Sequence, residues 1–298
     1  MNFKIVGMEA ENNGKDAKDY GVINPEWTLS EVVLSPKVED SIEDIIAFCK
    51  NREKIVEDWE LKKFLKGKGG TTAINFFGSP GTGKSIAAEA LANAIGKTLI
   101  KADYSEIMDN MLGGSEKKLS ELFTRAEANN SILFFDEADG LLSKRHSGSK
   151  ASESTNQIKS HLLTLLDRSN LVIIFATNFF ENYDKAFFRR ILFHVEFEMP
   201  DATQRIDIWK FHLSQNVPKS VTYEELANET DDLAGGDIKN IALKLCIKLS
   251  AKKLESIDLD TVKSEVDKYR TSLAASQGGK LVDNLPDEDA KISPISNN

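Results

Sequence analysis

Apolar residues along the chain repeat with two different spacings, and the alternation between them lays out the elements. Val38, Ile42, Ile45, Ile46 and Cys49 recur three or four residues apart, the spacing of one buried helical face. Ser35-Pro36 ahead of them is a start signal, because proline suits the first helical position. Four short apolar runs read as strands: residues 72–77, 98–102, 131–135 and 171–176. The last two are near-continuous, as in strands covered on both faces. His194-Val195-Glu196-Phe197-Glu198 alternates instead, which predicts a strand at a sheet edge. The Ala-rich run 86–95 reads as a helix, and so does the face Leu119, Leu122, Phe123 and Ala126, with Ser115 as its cap. Strands separated by helices predict an α/β fold with a five-stranded parallel sheet and right-handed crossovers. One more helix is expected over 52–64, broken by Lys66-Gly67-Lys68-Gly69-Gly70.

Past Pro200-Asp201 the pattern is helical throughout, near 203–213, 223–228, 236–253 and 259–273. That predicts a small all-helical domain over 202–275, separate from an α/β domain over 27–201. Residues 1–26 have little periodicity and are expected to form a flexible arm, and 276–298 a disordered tail.

Composition narrows the function classes. The 298 residues suffice for two domains with real cores, and 41% hydrophobic with 29% charged content is ordinary for a soluble globular chain. No apolar run approaches the ~18 residues of a membrane span. The opening Met1-Asn2-Phe3-Lys4-Ile5-Val6-Gly7 has too short an apolar segment for a secretory signal, so a cytoplasmic location is expected. A net charge of −9 weighs against a broad nucleic-acid surface. Cys49 and Cys246 match no metal or redox spacing and read as small core residues. Four histidines without His-Glu-x-x-His give no case for a metalloprotease.

The chemistry sits at strand ends. Gly78-Ser79-Pro80-Gly81-Thr82-Gly83-Lys84-Ser85 fits the phosphate loop of nucleoside triphosphatases, between a predicted strand and a predicted helix. Its glycines let the backbone curl until successive N–H groups point at phosphate. Lys84 supplies a point charge for the β- and γ-phosphates, and the Ser85 hydroxyl can ligate Mg²⁺. The run 132–135 ends in Asp136-Glu137-Ala138-Asp139, an apolar strand delivering carboxylates. Asp136 is the expected Mg²⁺ ligand, directly or through water, and Glu137 the general base that polarises the attacking water.

On these two motifs the chain resembles the AAA+ ATPases, in the branch of protein-remodelling hexamers, over about residues 28–270. The resemblance implies a nucleotide-binding α/β domain, a helical lid, ATP and Mg²⁺ as ligands, and a homohexamer with active sites at subunit interfaces. It further implies roles for specific residues. Asn178, closing the strand 171–176, matches the "sensor 1" that orients the lytic water. Asp184-Lys185-Ala186-Phe187-Phe188-Arg189-Arg190 resembles the segment carrying the arginine finger, with Arg190 the first candidate and Arg189 the second. Phe193 stands where the family often has a further arginine. Gly236, in Gly235-Gly236-Asp237, matches the start of the "sensor 2" helix near the adenine, and Val33 and Leu34 the other wall of the base pocket. Met111-Leu112 aligns with the pore loop, where threading members carry an aromatic residue. The basic stretch 143–155 faces the pore in the family.

Three functions follow as alternatives. The first is an ATP-driven ring that remodels, disassembles or unfolds a protein partner. The second is a nucleic-acid loader or helicase-type motor, disfavoured by charge. The third is a nucleotide-gated scaffold, disfavoured by the presence of Glu137 and an arginine candidate.

Overall fold

The computed structural model describes residues 21–60, 70–103, 107, 114–144, 150–178 and 183–276. The chain divides into two compact units, Met1–Met199 and Pro200–Asn298.

The first unit is built on a sheet of β1 (Val22–Ile23), β2 (Thr72–Gly78), β3 (Leu99–Asp103), β4 (Ile132–Asp136), β5 (Val172–Thr177) and β6 (Phe193–Phe197), in the order β1-β3-β4-β5-β2-β6. Strands β2 to β6 run parallel, as the alternation of strands and helices predicts. The five expected strands become six because Val22 and Ile23 pair antiparallel with Ile100 and Leu99. Val22 and Ile23, between Gly21 and Asn24-Pro25, are too few to show a period, so sequence pattern could not reveal them. Just beyond this strand the backbone N–H groups of Glu26 and Trp27 donate to the Glu89 carboxylate at 2.7 and 3.3 Å, which fastens the segment to a helix far along the chain.

Both faces of the sheet are covered, which explains why the strands read as continuous apolar runs. Ile74, Phe76, Phe134, Ile174, Val195 and Phe197 pack against α1 (Pro36–Lys50) and α2 (Lys84–Ala94). Ala73, Leu133, Phe135, Ile173 and Phe175 face the helices Gly114–Ala128 and Lys150–Arg168. Helix α1 starts as expected, with the Ser35 side chain accepting from Val38 N–H and Pro36 in its first turn. Its Lys37 reaches both Glu196 and Glu198 beside the edge strand, at 2.8 and 2.7 Å, and this double pairing raises the lysine above its ordinary pKa.

The helix expected over 52–64 is different. Lys54–Asp58 form a five-residue π-helix, and Glu60 takes a positive φ of 53° that stops it. Residues 61–69 lie outside the described residues, as do 1–20 of the expected arm and 277–298 of the expected tail.

The second unit holds the helices Ala202–His212, Tyr223–Glu229, Gly235–Ser250 and Leu259–Ser276. Capping boxes at Asp201/Gln204 and Thr222/Glu225 start the first two. Trp209 is fully buried, and its indole N–H donates to Thr230 Oγ1 at 3.1 Å. Arg205, also buried, donates to the carbonyls of Ala227 and Pro200. Lys248 and Glu265 form an ion pair joining the last two helices. No helix among the described residues is long and apolar enough to cross a membrane.

Asn75 breaks the apolar rule in the middle of β2. It is wholly buried, and its carboxamide is near enough to affect the Tyr183 hydroxyl, yet neither polar atom completes a hydrogen bond of ordinary geometry. An unmet buried amide costs about 1–3 kcal/mol. Asn75→Val is therefore expected to raise the urea midpoint of unfolding, at unchanged slope. A lower midpoint would show that the amide is satisfied in the folded protein.

Candidate nucleotide site

Parallel strands of matched length end together, and the candidate residues sit on those ends. In the register Phe77 pairs with Thr177, Phe135 with Phe175 and Asp103 with Asp136. The phosphate-loop segment, the acidic tetrad and Asn178 therefore leave the sheet along one edge.

The loop 78–83 turns sharply between β2 and α2. Gly78, Gly81 and Gly83 have φ of 139°, 77° and 99°, in the region that favours glycine. At Gly78 there is a second requirement, because an added Cβ would lie 2.1 Å from the Phe197 carbonyl oxygen of the neighbouring β6. At Gly83, which caps α2, an added Cβ would meet nothing within 4 Å, so only the dihedral angle constrains it. Thr82 braces the turn by donating its hydroxyl to the Ser79 carbonyl at 2.8 Å. Ser79 and Pro80 complete the curve and are exposed.

Lys84 is 8% exposed and fully engaged. Its ammonium donates to the carbonyls of Gly78 at 2.7 Å and Ser79 at 2.9 Å, and to Asn178 Oδ1 at 3.0 Å. Burial lowers its pKa, and the charges of Asp136 and Asp139 oppose that shift. The loop lysine and the residue closing β5 are thus in contact although 94 positions separate them.

The carboxylates take distinct places. Ser85 Oγ donates to Asp136 Oδ2 at 3.3 Å. The same oxygen receives Lys101 Nζ from β3 at 2.8 Å. Asp136 Oδ1 accepts the backbone N–H of Glu137 at 3.1 Å. Glu137 is exposed and has a positive φ of 50°, uncommon for a residue with a side chain and typical of strain held at functional sites. Asp139 accepts the backbone N–H of Asn178 at 3.1 Å, and Ala138 N–H donates to the Ala176 carbonyl at 2.9 Å. The ends of β4 and β5 are therefore tied together, and Asn178 is held at both its backbone and its side chain.

A magnesium ion fits this donor set. Ser85 and Asp136 offer hard oxygen ligands that already converge, and Asp136 already attracts a cation in Lys101. Among the described residues no group of three or more His, Cys, Asp and Glu could hold a metal by itself, so the remaining ligands would be phosphate oxygens and water.

Residues 74–200 match the family model of the ATPase family associated with various cellular activities (AAA). The chain carries an AAA+ ATPase module. The matched segment runs from β2 through Pro200, so it contains the loop, the acidic tetrad, Asn178 and both arginine candidates.

The two arginines of the module differ in their surroundings. Arg190 is half-buried and clasped side-on by Asp167, with Nε to Oδ1 at 2.9 Å and Nη2 to Oδ2 at 2.8 Å, and also donates to the Ala186 carbonyl. The Asp167 pairing raises its pKa further. Arg189 is exposed, with no partner among the described residues. Both follow a short helix, Lys185–Phe188, started by the Asp184 side chain accepting from Ala186 N–H. Tyr183 just before it shares a hydrogen bond with Thr177 at 3.2 Å, and burial is the main cause of its raised pKa.

Other sequence candidates fall elsewhere. Gly236 is in the first turn of the helix Gly235–Ser250 in the second unit, whose start is supported by Asp237 accepting from Ala234 N–H. Leu34 packs on the core of the first unit. Met111 and Leu112 lie outside the described residues, as do 145–149 of the basic stretch. The base of that stretch is pinned, since buried Lys159 donates to the carbonyls of Ser143 and Lys144 at 2.6 and 3.2 Å. An open polar hollow of about 450 Å³, lined by Glu116, Gln157, Ser160 and His161 among others, contains none of the nucleotide-site residues.

Sequence reasoning missed two members of the site. Asp139 was visible as the fourth residue of Asp-Glu-Ala-Asp without an assigned role. Lys101 had no signal beyond being a charged residue in an otherwise apolar strand.

The two glycines make a direct test. Gly83→Ala should cost about 1–3 kcal/mol of strain. Gly78→Ala should cost clearly more, because its new methyl meets backbone that cannot swing aside. Urea unfolding of both variants checks this order, and an equal or larger loss at Gly83 would overturn it.

Proposed function

We propose that the chain is a Mg²⁺-dependent ATP hydrolase that works as a ring, a homohexamer, and spends ATP turnover on remodelling, disassembling or unfolding a protein partner in the cytoplasm. The observation that carries the hydrolytic part is the double convergence of Lys84 on Asn178 and of Ser85 on Asp136, from separate strands. Lys84 and the backbone N–H groups of the loop hold the phosphates. Ser85 and Asp136 hold Mg²⁺, which when bound neutralises charge on the phosphate oxygens. Glu137 polarises the attacking water, and its exposure next to Asp136 suits it to face substrate. Asn178 orients that water, its backbone position fixed by Asp139.

For the arginine finger, the exposure of Arg189 and the pairing of Arg190 with Asp167 support a different choice from sequence order. We assign it to Arg189, which is exposed and has no side-chain partner among the described residues, and give Arg190 the task of holding the segment to Asp167. A finger contributes 10³–10⁵-fold in rate by stabilising charge on the transferring phosphoryl group. It has to be free to reach a neighbouring subunit. Met111 and Leu112 are proposed to contact the protein partner by apolar packing.

Glu137→Gln should keep ATP binding and lose about 10²–10⁴-fold of the phosphate-release rate. Release at the wild-type rate would remove Glu137 from the base role. Arg189→Ala should be inactive alone yet recover activity when mixed with Lys84→Ala subunits, while Arg190→Ala should chiefly lower the unfolding midpoint. Complementation by Arg190→Ala and none by Arg189→Ala would reverse the assignment.

A further inference from the structure

Lys101 lies in β3, outside both nucleotide motifs. Its cross-strand neighbour on β4 is Phe134, and Asp136 is the next β4 residue on that face. The ammonium is 5.9 Å from the centre of the Phe134 ring and 2.8 Å from Asp136 Oδ2. That oxygen is also the one approached by Ser85 Oγ, so Lys101 is seated on the atom that the metal reading gives to a divalent cation. Its side chain is 43% exposed, so the ammonium has open space into which to withdraw.

We propose that Lys101 is a tethered counter-cation of the metal position, which neutralises Asp136 in the nucleotide-free protein and yields Oδ2 to Mg²⁺ when nucleotide binds. The inference rests on the reading of Ser85 and Asp136 as the metal pair. Two consequences have opposite signs. Lys101 competes with Mg²⁺ for one carboxylate oxygen and so raises the Mg²⁺ concentration needed. It also leaves a positive charge beside the phosphates, so ATP without metal binds better than it otherwise would. An uncharged residue at 101 removes both effects.

The test measures binding of a fluorescent ATP analogue to the full chain, once in EDTA and once across a Mg²⁺ titration. Lys101→Met should weaken binding in EDTA and lower the half-saturating Mg²⁺, each by about threefold to fivefold, the size an exposed ion pair supports. Lys101→Arg keeps the charge and should stay within twofold of wild type on the EDTA arm. No change in either quantity for Lys101→Met, or a higher Mg²⁺ requirement, overturns the proposal. Asp136→Asn separates this outcome from failure of the metal reading. If Asp136→Asn abolishes the Mg²⁺ dependence while Lys101→Met changes nothing, the metal pair stands and the role of Lys101 falls. If Asp136→Asn leaves the Mg²⁺ dependence intact, the metal pair itself is wrong and the inference goes with it.

Discussion

The close approach of Gly78 to the Phe197 carbonyl is the constraint on which the nucleotide site depends. Strand β2 ends beside β6 with no room for a single methyl group, so the chain must leave the sheet at a fixed place and angle. Because β2 also pairs with β5 and β5 with β4, that exit point keeps a fixed offset from the ends of those two strands, where Asn178 and Asp136 sit. A small shift of β2 would move the loop relative to both. The packing on the two faces, from α1 and α2 on one side and the helices 114–128 and 150–168 on the other, holds that register.

Around this edge polar groups replace what apolar packing cannot supply. Ala138 ties to Ala176, Asp139 to Asn178, Thr177 to Tyr183, and Asp184 N–H to the Leu142 carbonyl at 2.8 Å. These bonds carry the chain from the acidic tetrad, past Asn178, to the short helix bearing the arginines. The left-handed backbone at Glu137 is sustained within that network, since the next residue, Ala138, is fully buried and hydrogen-bonded across to β5. Strain at one position persists because its neighbours are over-determined.

Much of this was legible in the sequence because its signals are local. The loop glycines, the strand ending in carboxylates and the helical faces each announce themselves within ten residues. What the sequence hid depends on register between distant segments. Nothing near Lys101 says that it lies diagonally across from Asp136, and nothing near Arg189 and Arg190 says that Asp167 claims one of them. Strand β1 escaped for another reason, since two residues cannot show a period. The π-helix at 54–58 escaped because its residues would suit an ordinary helix and only the turn at Glu60 ends it.

Lys84 gives the site one more property. Its ammonium already has three acceptors, two of them carbonyls of its own loop and the third Asn178 Oδ1. Phosphate oxygens would compete for the same protons with greater charge, so loading the site would be an exchange of partners by a cation that is already out of water. Of the three bonds, only the one to Asn178 leaves the loop. Whether that amide oxygen is occupied or released is thus set by what Lys84 holds.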